Sequence, residues 1–415
     1  MVKLVTQAIK RLGNLMASAI NRFKNWLSDQ RNFLFSRYTK DGQETQEPER
    51  SLIELPTAVR KKLIEQVEDL PSNLANQKAI ASTLEEAYEI WRENPTNSNN
   101  SLVILSSPVT AVSRILSETL EEWTEQRQIA LKLLPFKYRP GELKEIKSKL
   151  EHHLCQDPAQ NEDERPLEIV VIPNLSWCFL RSLEGLEGIE YLQSLLCDSS
   201  HNRFWIIGSG QVGWQYLNSV CALEAYCGSV FVLPPLDSEQ LESWLDPIVD
   251  DLDLAFDTPR IDQKILDGDQ DNKRSYFNRL ADISKGVATV AVQAFLKSIS
   301  CIEEKEQKTE KQDQKQDNDP QPKSLIAQTP KLPKLANLSP ADRYLLYSLL
   351  LHGDLTIAAL TESLGDDKSE VQATVQLLRR EGIVEQRDNV LKINPIYYPK
   401  VKQELASNNF IINRN

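Results

Sequence analysis

The chain has 415 residues, of which 40% are hydrophobic and 26% are charged, and its formal net charge is −12. This length allows two or three domains of ordinary globular composition. No apolar run approaches the roughly 18 residues of a membrane-spanning helix, and the acidic balance argues against a surface that binds nucleic acid throughout. The six cysteines form no C-x-x-C motif, and with no secretory segment this indicates a reducing, cytoplasmic compartment.

Residues 1–40 differ from the rest because they contain eight Lys or Arg and one acidic residue, Asp29. Apolar residues recur there with the spacing of one helix face. They are Leu4, Val5, Ile9, Leu12, Leu15, Met16, Ala19, Ile20, Phe23, Trp26 and Leu27. The pattern predicts a basic amphipathic helix, followed by a polar tether over residues 41–50.

A basic helix with aromatic residues on its apolar side is typical of binding to an anionic membrane surface. The residues expected to contact the membrane are Lys3, Lys10, Arg11, Arg22, Phe23, Lys24 and Trp26. Two alternatives remain open: a helix that docks on this protein or a partner, and an organelle targeting peptide. We expect a cytoplasmic protein that is peripherally associated with a membrane.

Residues 41–100 comprise the polar tether and a helical region that precedes the core. After residue 100, apolar runs alternate with helical patterns. The runs are LVIL at 102–105, IALKLLPF at 129–136, LEIVVIPNL at 167–175, RFWIIGSG at 203–210 and SVFVLPPL at 229–236. Strands that alternate with helices predict an α/β fold with a parallel sheet covered on both faces.

Several phrases of this region resemble the AAA+/STAND branch of the P-loop ATPases. IVVIPNL is similar to the Walker B strand of that family, and RFWIIGSGQVGWQYL to its sensor-1 strand and helix. VFVLPPLDSEQLESWL is similar to the last core strand with the helix that enters the lid, and residues 279–298 to a lid helix pair around sensor 2. The resemblance implies a P-loop-NTPase-like core with a helical lid over residues 101–300.

The residues at the family's nucleotide positions lack the expected chemistry. The resemblance assigns these positions to Ser106, Ala111, Val112, Ser113, Pro173, Asn174 and Thr289. Val112 replaces the lysine that meets the phosphates, while Ser106 and Ala111 replace glycines whose backbone N–H groups approach them. Pro173 and Asn174 replace the acidic pair that orients Mg²⁺ and water. We therefore expect a pseudo-ATPase with no nucleotide cofactor and no catalytic residue, against two alternatives: an ordinary strand–turn–helix and an unusual active ATPase.

Two further patterns are candidates for a dinucleotide site and a metal site. GSGQVG at 208–213 misses the dinucleotide spacing by one residue, and we interpret it as a turn in which glycine permits a positive φ. His152, His153 and Cys155 are close in sequence, but such a short cluster on a polar helix is more often solvent-exposed, and we expect no metal site.

Residues 301–335 are rich in Glu, Lys, Gln and Asp and predict a disordered linker. Residues 336–405 predict helices at about 340–352, 356–364 and 367–381 and then a small hairpin, an order that resembles a winged-helix domain. The third helix follows Asp366 and Asp367, whereas DNA affinity depends on positive charge. DNA is therefore possible but not favoured. We expect a non-catalytic regulatory or scaffold protein with unknown protein partners, the alternative being a DNA-binding transcriptional regulator.

Overall fold

The computed structural model describes residues 52–53, 55–95, 98–127, 131–134, 136, 138–154, 168–197, 202–257, 269–302, 324–387 and 389–412. The amphipathic helix predicted for residues 1–40 lies outside these residues. The described residues form two compact units: the first combines residues 71–235 with residues 333–412, and the second combines residues 52–70 with residues 236–332.

The strands and helices are numbered in chain order. The strands are β1 (Leu52–Ile53), β2 (Ser101–Ser106), β3 (Leu131–Leu133), β4 (Glu168–Ile172), β5 (Arg203–Gly210), β6 (Ser229–Val232), β7 (Ala255–Phe256), β8 (Ile299–Ile302), β9 (Ser324–Ala327), β10 (Leu355–Thr356), β11 (Val384–Arg387) and β12 (Val390–Ile393). The helices are α1 (Thr57–Asp69), α2 (Leu74–Glu93), α3 (Val112–Arg127), α4 (Lys144–Leu154), α5 (Glu187–Leu196), α6 (Gln211–Cys221), α7 (Ser238–Asp251), α8 (Asp269–Ser284), α9 (Ala288–Ser298), α10 (Pro340–His352), α11 (Ile357–Leu364), α12 (Lys368–Arg380) and α13 (Tyr398–Ser407).

The first unit is built on a five-stranded parallel sheet with the order β3-β4-β5-β2-β6. All five predicted strands are present, which confirms the α/β fold class. Every residue of β2 is buried, as expected for an apolar strand in the interior of a parallel sheet. Helices α2 and α3 bury their apolar faces against this sheet, where Trp91, Trp123 and Phe204 belong to one hydrophobic cluster.

Residues 336–412, here called the C-terminal module, contain α10 to α13 and a three-stranded antiparallel sheet with the order β10-β12-β11. The predicted helices lie within one residue of their observed bounds, and Ser339 caps α10 through a capping box with Asp342. Strand β10 and helix α13 were not predicted. The module forms one compact unit with the five-stranded sheet.

The second unit contains α1, α7, α8 and α9 and a small sheet with the order β1-β8-β9-β7. Strands β8 and β9 pair antiparallel and lie at the two ends of the segment predicted as a linker. The linker prediction is therefore wrong for residues 301–302 and 324–327, and residues 303–323 lie outside the described part of the chain. Leu325 and Ile326 explain the difference, because these apolar side chains are buried. Among the described helices, none combines the length and the apolar character needed to cross a bilayer.

Candidate functional site

The carboxyl ends of β2, β4 and β5 form one edge of the sheet, here called the carboxyl edge. Ser106 pairs with Gly210 there, and Ile172 pairs with Ile207. Ligands of open α/β sheets bind outside the carboxyl ends of the strands. The structure thus brings Ser106 and Pro173 to one edge, as the family resemblance implies. Thr289 lies in the first turn of α9 in the second unit.

Part of the loop that follows β2 bonds its backbone N–H groups within the same segment. Thr110 donates to the Ser107 carbonyl at 2.9 Å, and Val112 donates to the Thr110 carbonyl at 2.9 Å. The Arg114 N–H donates to the Ala111 carbonyl at 3.0 Å. A phosphate loop directs a series of N–H groups at the anion, whereas the Thr110 and Val112 N–H groups are bonded to carbonyls of their own segment.

Two side chains at the start of α3 contact other parts of the protein and do not face a ligand site. Val112, at the position of the family's lysine, is 3% exposed and belongs to the hydrophobic cluster that includes Ile104 and Leu116. Ser113 is half-buried in the next position. Arg114 forms an ion pair with Glu118 along the helix at 2.7 Å. The first turn of α3 therefore offers no charge that we can assign to a phosphate.

Asn174 has a structural role at the end of β4. Its side-chain oxygen accepts from the backbone N–H of Ser176 at 3.1 Å and from the Ser176 hydroxyl at 2.5 Å. These bonds cap a short 3-10 helix, Leu175–Cys178. An amide in this position neither removes a proton from water nor balances the charge of Mg²⁺.

The interpretation of GSGQVG as a turn with a positive φ is wrong. Gly208 and Gly210 lie in β5, and Gly213 lies inside α6. None of these three glycines is among the positive-φ residues of the described chain. Close packing is the reason for glycine at two of them. A Cβ on Gly208 would lie 2.5 Å from the Pro173 carbonyl oxygen, and one on Gly213 would lie 2.6 Å from the Leu351 carbonyl oxygen.

The C-terminal module covers the carboxyl edge. Leu351, in the last turn of α10, packs on α6 at Gly213, and the ideal Cβ position of Gly353 lies 3.8 Å from the Pro108 carbonyl oxygen. Tyr398, at the start of α13, is buried with its phenol facing the Ser107 hydroxyl. Burial raises the pKa of this phenol, and the neighbouring Ser107 hydroxyl lowers it by a smaller amount.

One arginine links the module to the end of β4. The Arg139 guanidinium donates to the carbonyls of Ser176 at 2.5 Å, Phe179 at 3.0 Å and Asp354 at 2.8 Å. Burial lowers the pKa of this guanidinium to about 10, partly offset by Asp354, so the group remains charged at neutral pH. Charge-assisted bonds of this kind are stronger than bonds between neutral groups.

A second link lies beside it. His352, the last residue of α10, is fully buried and accepts from the Arg181 backbone N–H through Nε2 at 3.2 Å. The Arg181 side chain donates to the Ser363 carbonyl at 2.8 Å, and the His352 ring lies 4.8 Å from the Phe179 ring. None of these residues was predicted from the sequence to form a contact. The sequence feature that pointed to such a role is a histidine at the end of the apolar run YLLYSLLLH, where a buried imidazole needs a hydrogen-bond partner.

The histidine pair of α4 shows no metal geometry. The Nε2 atom of His153 lies 2.6 Å from the Leu133 carbonyl, which makes it a hydrogen-bond donor. Within the described ranges, no group of three or more His, Cys, Asp or Glu residues is arranged to hold a metal ion. Cys155 lies outside those ranges.

No protein-family model matches the chain, and no curated protein matches it significantly. Among solved structures, Cdc6p from Pyrobaculum aerophilum aligns at 13% identity over 81% of this chain and 96% of its own, with a TM-score of 0.35. The RuvB Holliday junction branch migration motor of Thermotoga maritima aligns at 12% identity over 79% of this chain and 94% of its own, with a TM-score of 0.32. The ORC2 protein of Aeropyrum pernix aligns at 11% identity over 81% of this chain and 96% of its own, with a TM-score of 0.37. TM-scores below 0.5 support no inference about function.

Proposed function

We propose that this chain is a non-catalytic regulatory or scaffold protein that acts at a membrane surface. Its core is a pseudo-ATPase of AAA+-like fold, and its C-terminal module is a winged helix that contacts protein. One observation carries the proposal: the Thr110 and Val112 N–H groups after β2 are bonded to carbonyls of the same segment, and the C-terminal module packs over this segment.

The chemistry of the carboxyl edge supports an inactive core. Phosphoryl transfer depends on cations and an acidic group that act together on the phosphates, Mg²⁺ and water. Here Val112 is part of the hydrophobic core, and Asn174 caps a 3-10 helix. Losing charge stabilisation and positioning together costs several orders of magnitude in rate.

The membrane role rests on residues 1–40. These residues carry a net positive charge, whereas the whole chain has a net charge of −12. Residues 1–40 are therefore the segment that anionic headgroups attract. Its apolar stripe supplies the burial that holds an amphipathic helix in the interface. An acidic remainder disfavours close approach of the other surfaces to the same membrane.

The winged-helix assignment is supported by three helices and a hairpin in the expected order. The outward face of α12 presents Gln372, Ala373 and Gln376, which are exposed. Acidic residues precede this helix, and Glu370 lies in its first turn. Because phosphate contacts dominate DNA affinity, a protein partner is favoured over a DNA duplex for this face.

Vesicle flotation, thermal unfolding with nucleotide and DNA binding test the proposal. Flotation with anionic vesicles should carry the intact chain to the top of a density gradient, and a chain without residues 1–40 should stay below. Millimolar Mg-ATP should leave the melting temperature unchanged, since a ligand of the native state raises it by mass action. A rise of several degrees with phosphate release would instead establish an active ATPase. Sub-micromolar binding to one DNA sequence at physiological salt would establish a DNA-binding regulator.

A further inference from the structure

His352 lies where the C-terminal module meets the carboxyl edge. It is fully buried, its ring lies 4.8 Å from the Phe179 ring at a tilt of 47°, and its Nε2 atom accepts a hydrogen bond from the Arg181 backbone N–H. An imidazole nitrogen that accepts a hydrogen bond carries no proton, so the ring is neutral in this arrangement. Its Nδ1 atom is buried without a hydrogen-bond partner among the described residues.

The charged groups around this ring are unfavourable to a proton. The guanidinium groups of Arg139 and Arg181 both face it and are both cationic. The Asp354 carboxylate, two residues further along the chain, lies 3.7 Å from the Lys392 ammonium in the same module.

The other titratable groups at this contact are neutral near physiological pH. Burial raises the pKa of the Cys178 thiol to about 12 and raises the pKa of the Tyr216 and Tyr347 phenols. None of these groups therefore supplies a negative charge to a protonated ring.

We propose that His352 makes the docking of the C-terminal module sensitive to protons, so that acidification loosens the module from the carboxyl edge while the sheet stays folded. Protonation would remove the acceptor of the Arg181 N–H and add a third positive charge beside two guanidinium groups. Both effects act at the contact between module and core, and neither acts on the interior of the sheet.

The sign of the pH dependence follows from linkage. Burial, and then the two arginines, hold the pKa of His352 well below its ordinary value of 6.5 in the docked state. In the undocked state the solvated ring takes up a proton near pH 6.5. Docking is therefore fully favourable above that pH and weakens as the pH falls below it. Because the undocked ring binds one proton that the docked ring does not, the equilibrium constant for docking falls about tenfold between pH 7.5 and pH 5.5.

Hydrogen exchange on the full-length protein tests this. Protection factors are measured at pH 7.5 and 5.5 for peptides covering residues 179–183 and, as an internal reference, residues 102–105 of β2. The junction peptide should lose about tenfold in protection at pH 5.5, and the β2 peptide should keep its protection. Unchanged protection at the junction, or a parallel loss in both peptides, would overturn the proposal.

Matched variants separate His352 from the other histidines. His352→Gln keeps an acceptor but does not titrate, so its junction peptide should hold the same protection at both pH values. His152→Gln changes an exposed histidine and should retain the wild-type pH dependence. If His352→Gln loses protection at low pH as the wild type does, the proposal is wrong.

A direct titration decides the case even if the variant fails to fold. In the wild-type protein labelled with ¹³C-histidine, the His352 ring should stay neutral at pH 5.5, where a solvated imidazole is protonated. A His352 resonance that titrates near pH 6.5 while the junction stays protected would contradict the mechanism.

Discussion

The Arg139 guanidinium and the Asp354 carbonyl are joined by a hydrogen bond of 2.8 Å although the residues are 215 positions apart in the chain. The same guanidinium binds two carbonyls in the segment after β4, at Ser176 and Phe179. A single side chain therefore connects the C-terminal module with the strand end where the family resemblance places the Walker B residues.

Arg139→Met should destabilise the protein by about 2–4 kcal/mol. The substitution keeps much of the side-chain volume but leaves three carbonyls without a charged donor. One such bond contributes about 1.5–3 kcal/mol net, and the three bonds of a single guanidinium do not add in full. Urea unfolding gives the free energy directly. Arg92→Met is the control, because Arg92 is exposed and pairs only along its own helix with Glu89, and a change below about 0.5 kcal/mol is expected there. Equal losses in the two variants would contradict a specific link.

Gly213→Ala should weaken the contact between α6 and α10. Alanine favours a helix over glycine by about 1 kcal/mol, but here its Cβ would lie 2.6 Å from the Leu351 carbonyl oxygen, a backbone atom with little freedom to move. Overpacking of this kind costs about 1–3 kcal/mol, so a net loss of stability is expected. Gly141→Ala is the matched control, since a Cβ there meets nothing within 4 Å. A stabilised Gly213→Ala variant would show that the helices separate easily.

Val112→Lys should not restore nucleotide binding. The side chain of Val112 is 3% exposed within the hydrophobic cluster, and placing an ammonium there should cost on the order of 3 kcal/mol. The N–H groups of Thr110 and Val112 remain bonded to carbonyls of their own segment. Thermal unfolding of the variant with and without Mg-ATP should therefore give the same melting temperature, lower than that of the wild type. Val112→Ile, which preserves apolar burial, should change stability by less than about 1.5 kcal/mol. If nucleotide raised the melting temperature of the lysine variant, the loop would be a phosphate cradle that lacks only its cation.

The strands and helices could be predicted because their signals are local. Five apolar runs between helical patterns gave the parallel sheet, and Ser339 with Pro340 gave the start of α10. Strand β9 was missed because its apolar run, SLIA, has only four residues beside a long polar stretch. The polar composition of residues 301–335 as a whole therefore indicated a linker. The short strand forms because it pairs with β8.

The contacts at the carboxyl edge could not be predicted in the same way. Nothing local in the sequence pairs Arg139 with Asp354 or Arg181 with His352, because these contacts form only when the chain returns to the sheet. The glycine at 213 carried a real signal that was misinterpreted. Glycine permits a positive φ, but it also permits close approach of another backbone, and only the packing of α10 shows which property is used.

The last prediction concerns residues 1–40, whose apolar and basic residues should make separable contributions to membrane binding. Replacing Phe23 and Trp26 by Ser removes apolar burial, so binding should weaken at low and high salt and on neutral as well as anionic lipid.

A second variant replaces five basic residues by Gln, namely Lys3, Lys10, Arg11, Arg22 and Lys24. Each basic residue near an anionic surface contributes about 1 kcal/mol, and this contribution falls off within a Debye length. The second variant should therefore lose binding mainly on anionic vesicles at low salt, as measured by co-sedimentation over a series of salt concentrations. If the intact wild-type chain stays in the supernatant with anionic vesicles, the membrane role is wrong, and the apolar stripe must be assigned to docking on this protein or on a partner.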